Sequence, residues 1–300
     1  MKQRKNIAGI AVIGAGRIGC FTASFLAKNG FHALIIDRDF VEENAEEKNW
    51  FYTQREVGQL KAKALAKRFS FDGKAVHLNT HNANKLLTNS EVILDCTDNW
   101  ETRMAINWFC LNTRTPWIFT SCIRSEGMLS TIIPGKTPCF GCWNETPVKP
   151  RSCSIEGVSR EIAREMSLRQ TQELARLLEN KPQYAGKLLY VDAANKIKFT
   201  KKLSKRIGCL GCAKKVFWQT RAQTLCGDGE HQFLNNIPSQ LEEKLNKLKS
   251  LEPKNLGAVI QIKREKCTAI VFQDGRVLVK GLGKKQAREL NDLIAQKMRY

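Results

Sequence analysis

The chain has 300 residues, 42% of them apolar and 26% charged, the proportions of a soluble globular protein long enough to bury a substantial core. No apolar run approaches the roughly eighteen residues of a membrane-spanning helix. Eleven cysteines in so long a chain do not fit the short secreted class built around disulfides; reduced cytoplasmic thiols plus a metal site account for them better.

The formal net charge of +20 comes from lysines spread along the chain and enriched after Lys181. It suits an acidic protein, nucleotide or nucleic-acid partner, or is simply a lysine-rich solvated surface. The opening "MKQRKNIAGIAVIGAGRIG" is basic then apolar, like a secretory signal. Four glycines and an arginine interrupt it, so it reads as a first strand. "RIGCFTASFLAKNG" has helical spacing and a glycine stop at Gly30, and "HALIID" is a second buried strand closing on Asp37. A helix is expected over "QREVGQLKAKALAKRF", then strands "AVHLNT" and "EVILDCTDN", then a helix "WETRMAINWFCLNT". "PWIFTSCIRSEGMLSTIIPG" reads as two strands around a turn at Glu126-Gly127, and Ser159 to Glu179 as a helix. "GKLLYVDAANKIKFTKKLSKRIGCLGC" gives two more strands. The order predicts a doubly wound, mostly parallel, Rossmann-like α/β sheet over residues 1–212. Beyond about Ala213 an amphipathic helix, strands around an Asp-Gly turn and a final helix predict a small α+β appendage, residues 213–300.

Gly14-Ala15-Gly16-Arg17-Ile18-Gly19 fits G-x-G-x-x-G. The first glycine makes the tight turn, the second lets backbone approach phosphate, and the third lets the helix pack on the sheet. Asp37 is placed for two ribose hydroxyls; the pattern suits NAD or ATP. Asp98 and Asn99 fall just past a strand end, where a carboxylate can hold Mg²⁺ against phosphates, unless Asp98 merely caps the following helix. Lys61, at a helix start, can neutralise phosphate charge or can be a solvated helix lysine. "CFGC" (Cys139, Cys142) and "CLGC" (Cys209, Cys212) share one spacing, each with glycine before the second cysteine. Two such knuckles aim four thiolates at one tetrahedral zinc, about 2.3 Å from each sulfur. A redox pair would leave the other knuckle unexplained. With no histidine nearby and no open ligand position, the zinc is structural.

From Ile7 to Cys212 the chain resembles the ThiF/MoeB/HesA family of the ubiquitin-activating enzyme superfamily. The resemblance is carried by "VIGAGRIGC", "IIDRDFVEEN", "VGQLKA", "VILDCTDNWETR", "IRSEGMLSTIIPGKTPCFGC", "SCSIEGV" and "GCLGC". It implies an adenylyltransferase that binds MgATP and the C-terminal Gly-Gly of a small ubiquitin-like (ThiS/MoaD-type) sulfur carrier, joins AMP to that carboxylate and releases pyrophosphate. The carried-over roles are a phosphate turn at Gly14, Gly16 and Gly19 and a ribose contact at Asp37. Asp39 and Asn99 complete the nucleotide site, with Lys61 and Lys48 as phosphate clamps, Asp98 as the magnesium ligand, and Cys139, Cys142, Cys209 and Cys212 as zinc ligands. Cys153 falls where relatives carry a cysteine that forms a sulfur or acyl link, and is otherwise a loop thiol. A homodimer and a sulfurtransferase or cysteine desulfurase partner also follow from the resemblance.

Where the family has Ser-Asn-Leu-x-Arg-Gln, this chain has Asn44 to Asn49: Ala45 lacks an amide that Asn44 could supply by a one-residue shift, and Lys48 lacks the planar fork of arginine. The glycine turn comes too soon in this sequence for the family's amino-terminal helix to be expected before it, and Arg4 and Arg17 are the candidates to stand in for that helix's arginine. Competing readings are adenylylation of a peptide or small-molecule carboxylate, an NAD-dependent dehydrogenase, and a catalytically weakened scaffold that binds tRNA.

Overall fold

Four consecutive buried residues, Ile10–Ile13, form strand β1, followed by helix α1 (Arg17–Lys28) and strand β2 (Leu34–Asp37). The computed structural model describes residues 9–44, 49–144, 157–213, 222–224, 230–235, 237 and 240–299. It divides into two compact units, Met1–Asp39 with Lys61–Gln219, and Phe40–Leu60 with Thr220–Tyr300.

In the first unit, α2 (Lys61–Phe69), β3 (Asp72–Ala75), α3 (Ala83–Leu87), β4 (Val92–Asp95) and α4 (Trp100–Thr113) continue the alternation. Then come β5 (Trp117–Ile123), β6 (Glu126–Ile132), α5 (Phe140–Trp143), α6 (Arg160–Leu178), β7 (Lys187–Asp192) and β8 (Ile197–Lys202). The strands lie in the order β3-β2-β1-β4-β5-β6-β7-β8. Pairing is parallel from β3 to β5 and antiparallel from β5 to β8. The chain moves outward from β1 to β3 and then returns to β4 on the other side of β1. The order therefore reverses there, and the crevice beyond the carboxyl ends of β1 and β4 is the place such sheets bind ligands. Ile13 sits between Ile36 and Asp95, which puts those ends level.

One face of the sheet buries Trp117, Phe119 and Phe140 against Ile106 and Phe109 of α4. The three aromatic centroids lie 5.6 to 6.5 Å apart, and truncating one such ring typically costs about 3–5 kcal/mol. On α1 and α6, Thr22 donates to Gln170 at 2.8 Å, and Gln170 donates to the carbonyls of Asp95 and Ile118.

Three sequence expectations are corrected. The third strand is Asp72–Ala75 and stops where "AVHLNT" begins. The expected helix from Gln54 is broken: a 3₁₀ turn, Gln54–Glu56, is separated from α2 by Gly58, whose φ of +83° no right-handed helix accommodates. The β5–β6 hairpin turns at Arg124, with φ +50°, and Gly127 lies inside β6.

The second unit is a six-stranded antiparallel sheet in the order β11-β12-β13-β14-β10-β9. Its strands are β9 (Ala222–Thr224), β10 (His231–Leu234), β11 (Lys254–Asn255), β12 (Val259–Arg264), β13 (Cys267–Phe272) and β14 (Arg276–Lys280). Helices α7 (Leu241–Lys247) and α8 (Lys284–Arg299) supply Leu245, Leu290, Ile294 and Met298 to the core on one face. Phe40 and Leu60 pack with Val259, Ile270, Phe272 and Leu278 on the other. No helix of the described residues is long and apolar enough to cross a membrane.

Candidate functional site

The three glycines between β1 and α1 meet three different demands. Gly14 has φ +100°, and a Cβ on it would lie 2.6 Å from the Cys96 carbonyl oxygen at the end of β4. A Cβ on Gly19 would lie 1.9 Å from the Gly14 oxygen, so only glycine lets α1 come this close to the turn. A Cβ on Gly16 would meet nothing within 4 Å: the space above the α1 amino end is open. With no acidic side chain in its first turn, that amino end favours an anion.

Asp37 closes β2 beside this turn. Its two oxygens accept from the backbone N–H groups of Ala15 and Asp39, each at 2.6 Å. Burial pushes its carboxyl up, with Asp39 adding to the effect; Lys61 and the two N–H groups pull the other way. Asp39 lies 3.6 Å from Lys61 Nζ and 3.6 Å from Arg38 Nε, and Arg38 reaches His77 Nδ1 at 3.3 Å. Lys61, at the start of α2, is therefore not a solvated helix lysine: it is three-quarters covered and tied to the carboxylates at the β2 end.

At the end of β4, Asn99 rather than Asp98 is the cap of α4, its side-chain oxygen accepting from Thr102 N–H at 2.9 Å. Asp98 is exposed beside it, and Asn99 Nδ2 donates to it at 3.5 Å. The turn is held from below by an ion pair that the sequence does not advertise. The fully buried Asp95 carboxylate accepts from Thr97 Oγ1 at 2.6 Å, Thr97 N–H at 2.9 Å and Arg103 Nε at 3.3 Å. Arg103 also donates to the Thr97 carbonyl and lies 4.8 Å from the centre of the Phe119 ring. Burial raises the Asp95 carboxyl; Arg103 and Thr97 lower it.

The four cysteines of the two knuckles converge. Cys139 and Cys142 sulfurs lie 3.8 Å apart, Cys139 and Cys209 3.6 Å, and Cys142 and Cys212 3.6 Å, with all four within 4.8 Å of one another. A tetrahedron of sulfurs about 2.3 Å from a zinc ion has edges of about 3.8 Å, whereas a disulfide requires about 2.05 Å. The donor set and spacing therefore fit zinc. Gly211 is pressed between Asn107 Nδ2 and Cys139 Sγ, where a Cβ would meet them at 2.9 and 3.0 Å; Gly141 faces Cys209 Sγ at 3.4 Å. Asn107 of α4 accepts from Phe140 N–H at 3.0 Å and so fixes the first knuckle. Burial works to raise the Cys209 thiol, but N–H groups of Cys212 and Gly211 donate to it and bring it down to about 7. Burial and Cys142 push Cys212 up to about 11. Burial and the neighbouring thiols hold Cys139 and Cys212 up, and a cation among the four sulfurs would favour their thiolates.

Lys48, Ala45, Cys153 and Arg4 lie outside the described residues. Arg17 is described, and donates to the Val158 carbonyl at 3.1 Å. The residues that sequence reasoning missed are Arg103, Thr97 and Asn107. Thr97 sits in the polar end of the β4 stretch, and Arg103 and Asn107 sit inside a stretch that reads as an ordinary helix.

A doubly wound sheet with a glycine turn at its reversal point and a Cys₄ cluster define a Rossmann-like domain with four cysteines that could hold a metal ion. The chain belongs to the ThiF family, whose model matches residues 2–210. It is 26% identical over 304 residues to the sulfur carrier protein ThiS adenylyltransferase of Bacillus subtilis, covering 93% of this chain and 90% of that one. It is 30% identical over 252 residues to the adenylyltransferase and sulfurtransferase MOCS3 of Caenorhabditis briggsae, covering 79% of this chain and 62% of that one. Among solved structures, Escherichia coli MccB with ATP shares the fold, with a TM-score of 0.59 and 17% identity over 70% of this chain and 68% of that one.

Proposed function

We propose that this protein uses MgATP to adenylylate the C-terminal glycine carboxylate of a small ubiquitin-like sulfur carrier. The observation that carries the reading is the Asp37–Asp39–Lys61 cluster tied by Ala15 N–H to the glycine turn. Carboxylates suited to ribose, a backbone turn suited to phosphate and a fixed cation thus lie together at the carboxyl end of the sheet. A hydride-transfer enzyme has no use for that lysine or for Asp98.

In this reading the Gly16 backbone and α1 amino end receive the phosphates, Asp37 the ribose, and Asp98 a magnesium ion that offsets triphosphate charge. A carboxylate oxygen of the carrier's last glycine attacks the α-phosphorus. The bond to the bridging oxygen breaks, pyrophosphate leaves with its electron pair, and the acyl-adenylate remains. No proton moves, so catalysis is alignment and charge neutralisation, with Lys61 and Lys48 absorbing the charge that builds on the phosphates. Cys139, Cys142, Cys209 and Cys212 would hold zinc, which would join α5 to the segment after β8. The chain's +20 charge suits an acidic carrier. Cys153 is the candidate for a later sulfur or acyl link, and a homodimer is the expected assembly.

The test is mass spectrometry of Gly-Gly-ended carriers incubated with the protein and MgATP. An AMP adduct on the terminal carboxylate is expected. Carriers left unmodified while a peptide or small carboxylic acid is adenylylated would move the reading to that substrate.

A further inference from the structure

The family match ends at residue 210, and the second unit holds nearly all of the chain beyond it together with one segment from far upstream, Phe40–Leu60. That segment is gripped at several points. The Phe40 ring meets Phe272 edge-on, centroids 6.2 Å apart, inside one buried cluster. Glu43 bridges Lys254 at 3.2 Å and Lys263 at 3.0 Å. Glu42 pairs with Lys280, which also reaches Glu230 at 3.1 Å. Gly58, at φ +83°, lies so close to β12's approach that a Cβ would stand 1.8 Å from the Leu256 carbonyl oxygen.

The two ends of the segment run antiparallel as a short ladder. Gly58 N–H donates to the Val41 carbonyl and Val41 N–H to the Gln59 carbonyl, both at 2.8 Å, and Phe40 pairs with Leu60. The next rung outward is Asp39 with Lys61: Lys61 N–H donates to the Asp39 carbonyl at 2.9 Å, and the side chains form the ion pair described above.

We propose that the C-terminal unit is a positioning device for the nucleotide site, setting Lys61 and Asp39 through the Phe40–Leu60 ladder that its sheet holds. The proposal rests on the adenylylation reading. Phe40 and Gly58 are positioning residues: they fix the register of the rungs that continue, without a break in the chain, into Asp39 and Lys61. A charged group displaced by about 1 Å from its phosphate loses much of its effect, on the order of a hundredfold in rate at the transition state. The device also explains why the second unit takes in a segment that falls between two stretches of the first unit's sequence.

The test is calorimetric titration of full-length protein with MgATP, which needs no carrier. Gly58→Ala is expected to weaken binding about tenfold at unchanged stoichiometry, the mark of a misplaced site. A merely destabilised protein would lose stoichiometry at an unchanged dissociation constant. Gly275→Ala is the control: it imposes the same kind of strain, at φ +84° and 2.8 Å from Asn235 O, on a turn of the second unit away from the ladder. It is expected to bind as wild type does. Should Gly58→Ala not fold, Phe272→Leu, which removes the ring edge on Phe40 but keeps apolar bulk, is expected to weaken binding about threefold. Wild-type affinity in Gly58→Ala, or in Phe272→Leu where that variant decides, overturns the proposal, as does equal weakening in Gly275→Ala. A wild-type chain that binds no MgATP overturns the adenylylation reading and the proposal with it, so the two failures are told apart.

Discussion

Arg103→Met removes the cation from beneath the Asp98 turn and leaves the Asp95 carboxylate buried without its partner. Asp95 is fully buried, and Arg103 is its one cationic contact among those described above. Breaking a buried pair in this way costs about 3–5 kcal/mol. For a unit of this size each kcal/mol lowers the melting midpoint by about 2–4 °C, so a fall of about 6–20 °C is expected. The sign with pH follows from the raised Asp95 carboxyl. A carboxyl raised in the folded state favours folding at low pH, and that contribution is lost as pH rises from the ordinary 3.8 through the folded value. Without Arg103 the folded value rises further, so the gap between variant and wild type should be widest near pH 8 and narrow toward pH 4. Trp100, Trp108, Trp117 and Trp143 lie in the first unit and Trp50 in the second, so tryptophan emission during urea unfolding reports mainly on the first unit. Asp95→Asn in the Arg103→Met background should cost less than the two single changes added, by more than about 1 kcal/mol. Additive costs, or an Arg103→Met protein within about 1 kcal/mol of wild type at pH 8, would refute the reasoning.

The glycine turn separates folding from binding: Gly16→Ala should melt within about 2 °C of wild type yet bind MgATP at least about tenfold more weakly, while Gly19→Ala should lose about 3 kcal/mol or more of stability. Thermal melts and nucleotide titrations on both variants check this. Asp98→Ala, at an exposed position, should leave the melt unchanged and abolish magnesium-dependent activity, read as AMP transfer across a magnesium series. The purified protein should contain one zinc per chain by elemental analysis. Structural zinc in small domains binds with about 10–16 kcal/mol, comparable to or above a domain's entire ~5–15 kcal/mol of stability. Cys209→Ser should therefore be metal-free and poorly folded by circular dichroism; a well-folded metal-free variant would contradict a structural role.

Much of the site was legible because its chemistry is local in sequence. The G-x-G-x-x-G turn, Asp37 at a strand end and two C-x-x-C knuckles each declare themselves within a few residues, and the structure supplies the reason for every glycine among them. The misread elements fail for long-range reasons. Strand β3 is an edge strand with the sequence Asp-Gly-Lys-Ala, so its apolar alternation is nil, and Gly73 is needed because a Cβ would meet the Ala62 oxygen of α2 at 2.6 Å. Glu126-Gly127 looks like a turn, but Gly127 is in a strand, making room for Met166 of α6, whose Cγ would lie 2.4 Å from a Cβ. The true tip, Arg124, carries a positive φ without the glycine that usually announces one. Arg103 reads as a solvated helix residue until Asp95, eight residues upstream, is seen beneath it. The allegiance of Phe40–Leu60 to strands more than two hundred residues later leaves no local trace at all.

The central claim is that a terminal glycine carboxylate opens ATP at its α-phosphorus in this crevice. Exchange of labelled pyrophosphate into ATP tests it most directly, run with a ThiS/MoaD-type carrier and with the same carrier lacking its last glycine. Exchange that needs the intact Gly-Gly end and falls by at least about a hundredfold in Lys61→Ala is the predicted result. Exchange that proceeds equally with the truncated carrier, or that survives Lys61→Ala unchanged, would contradict it.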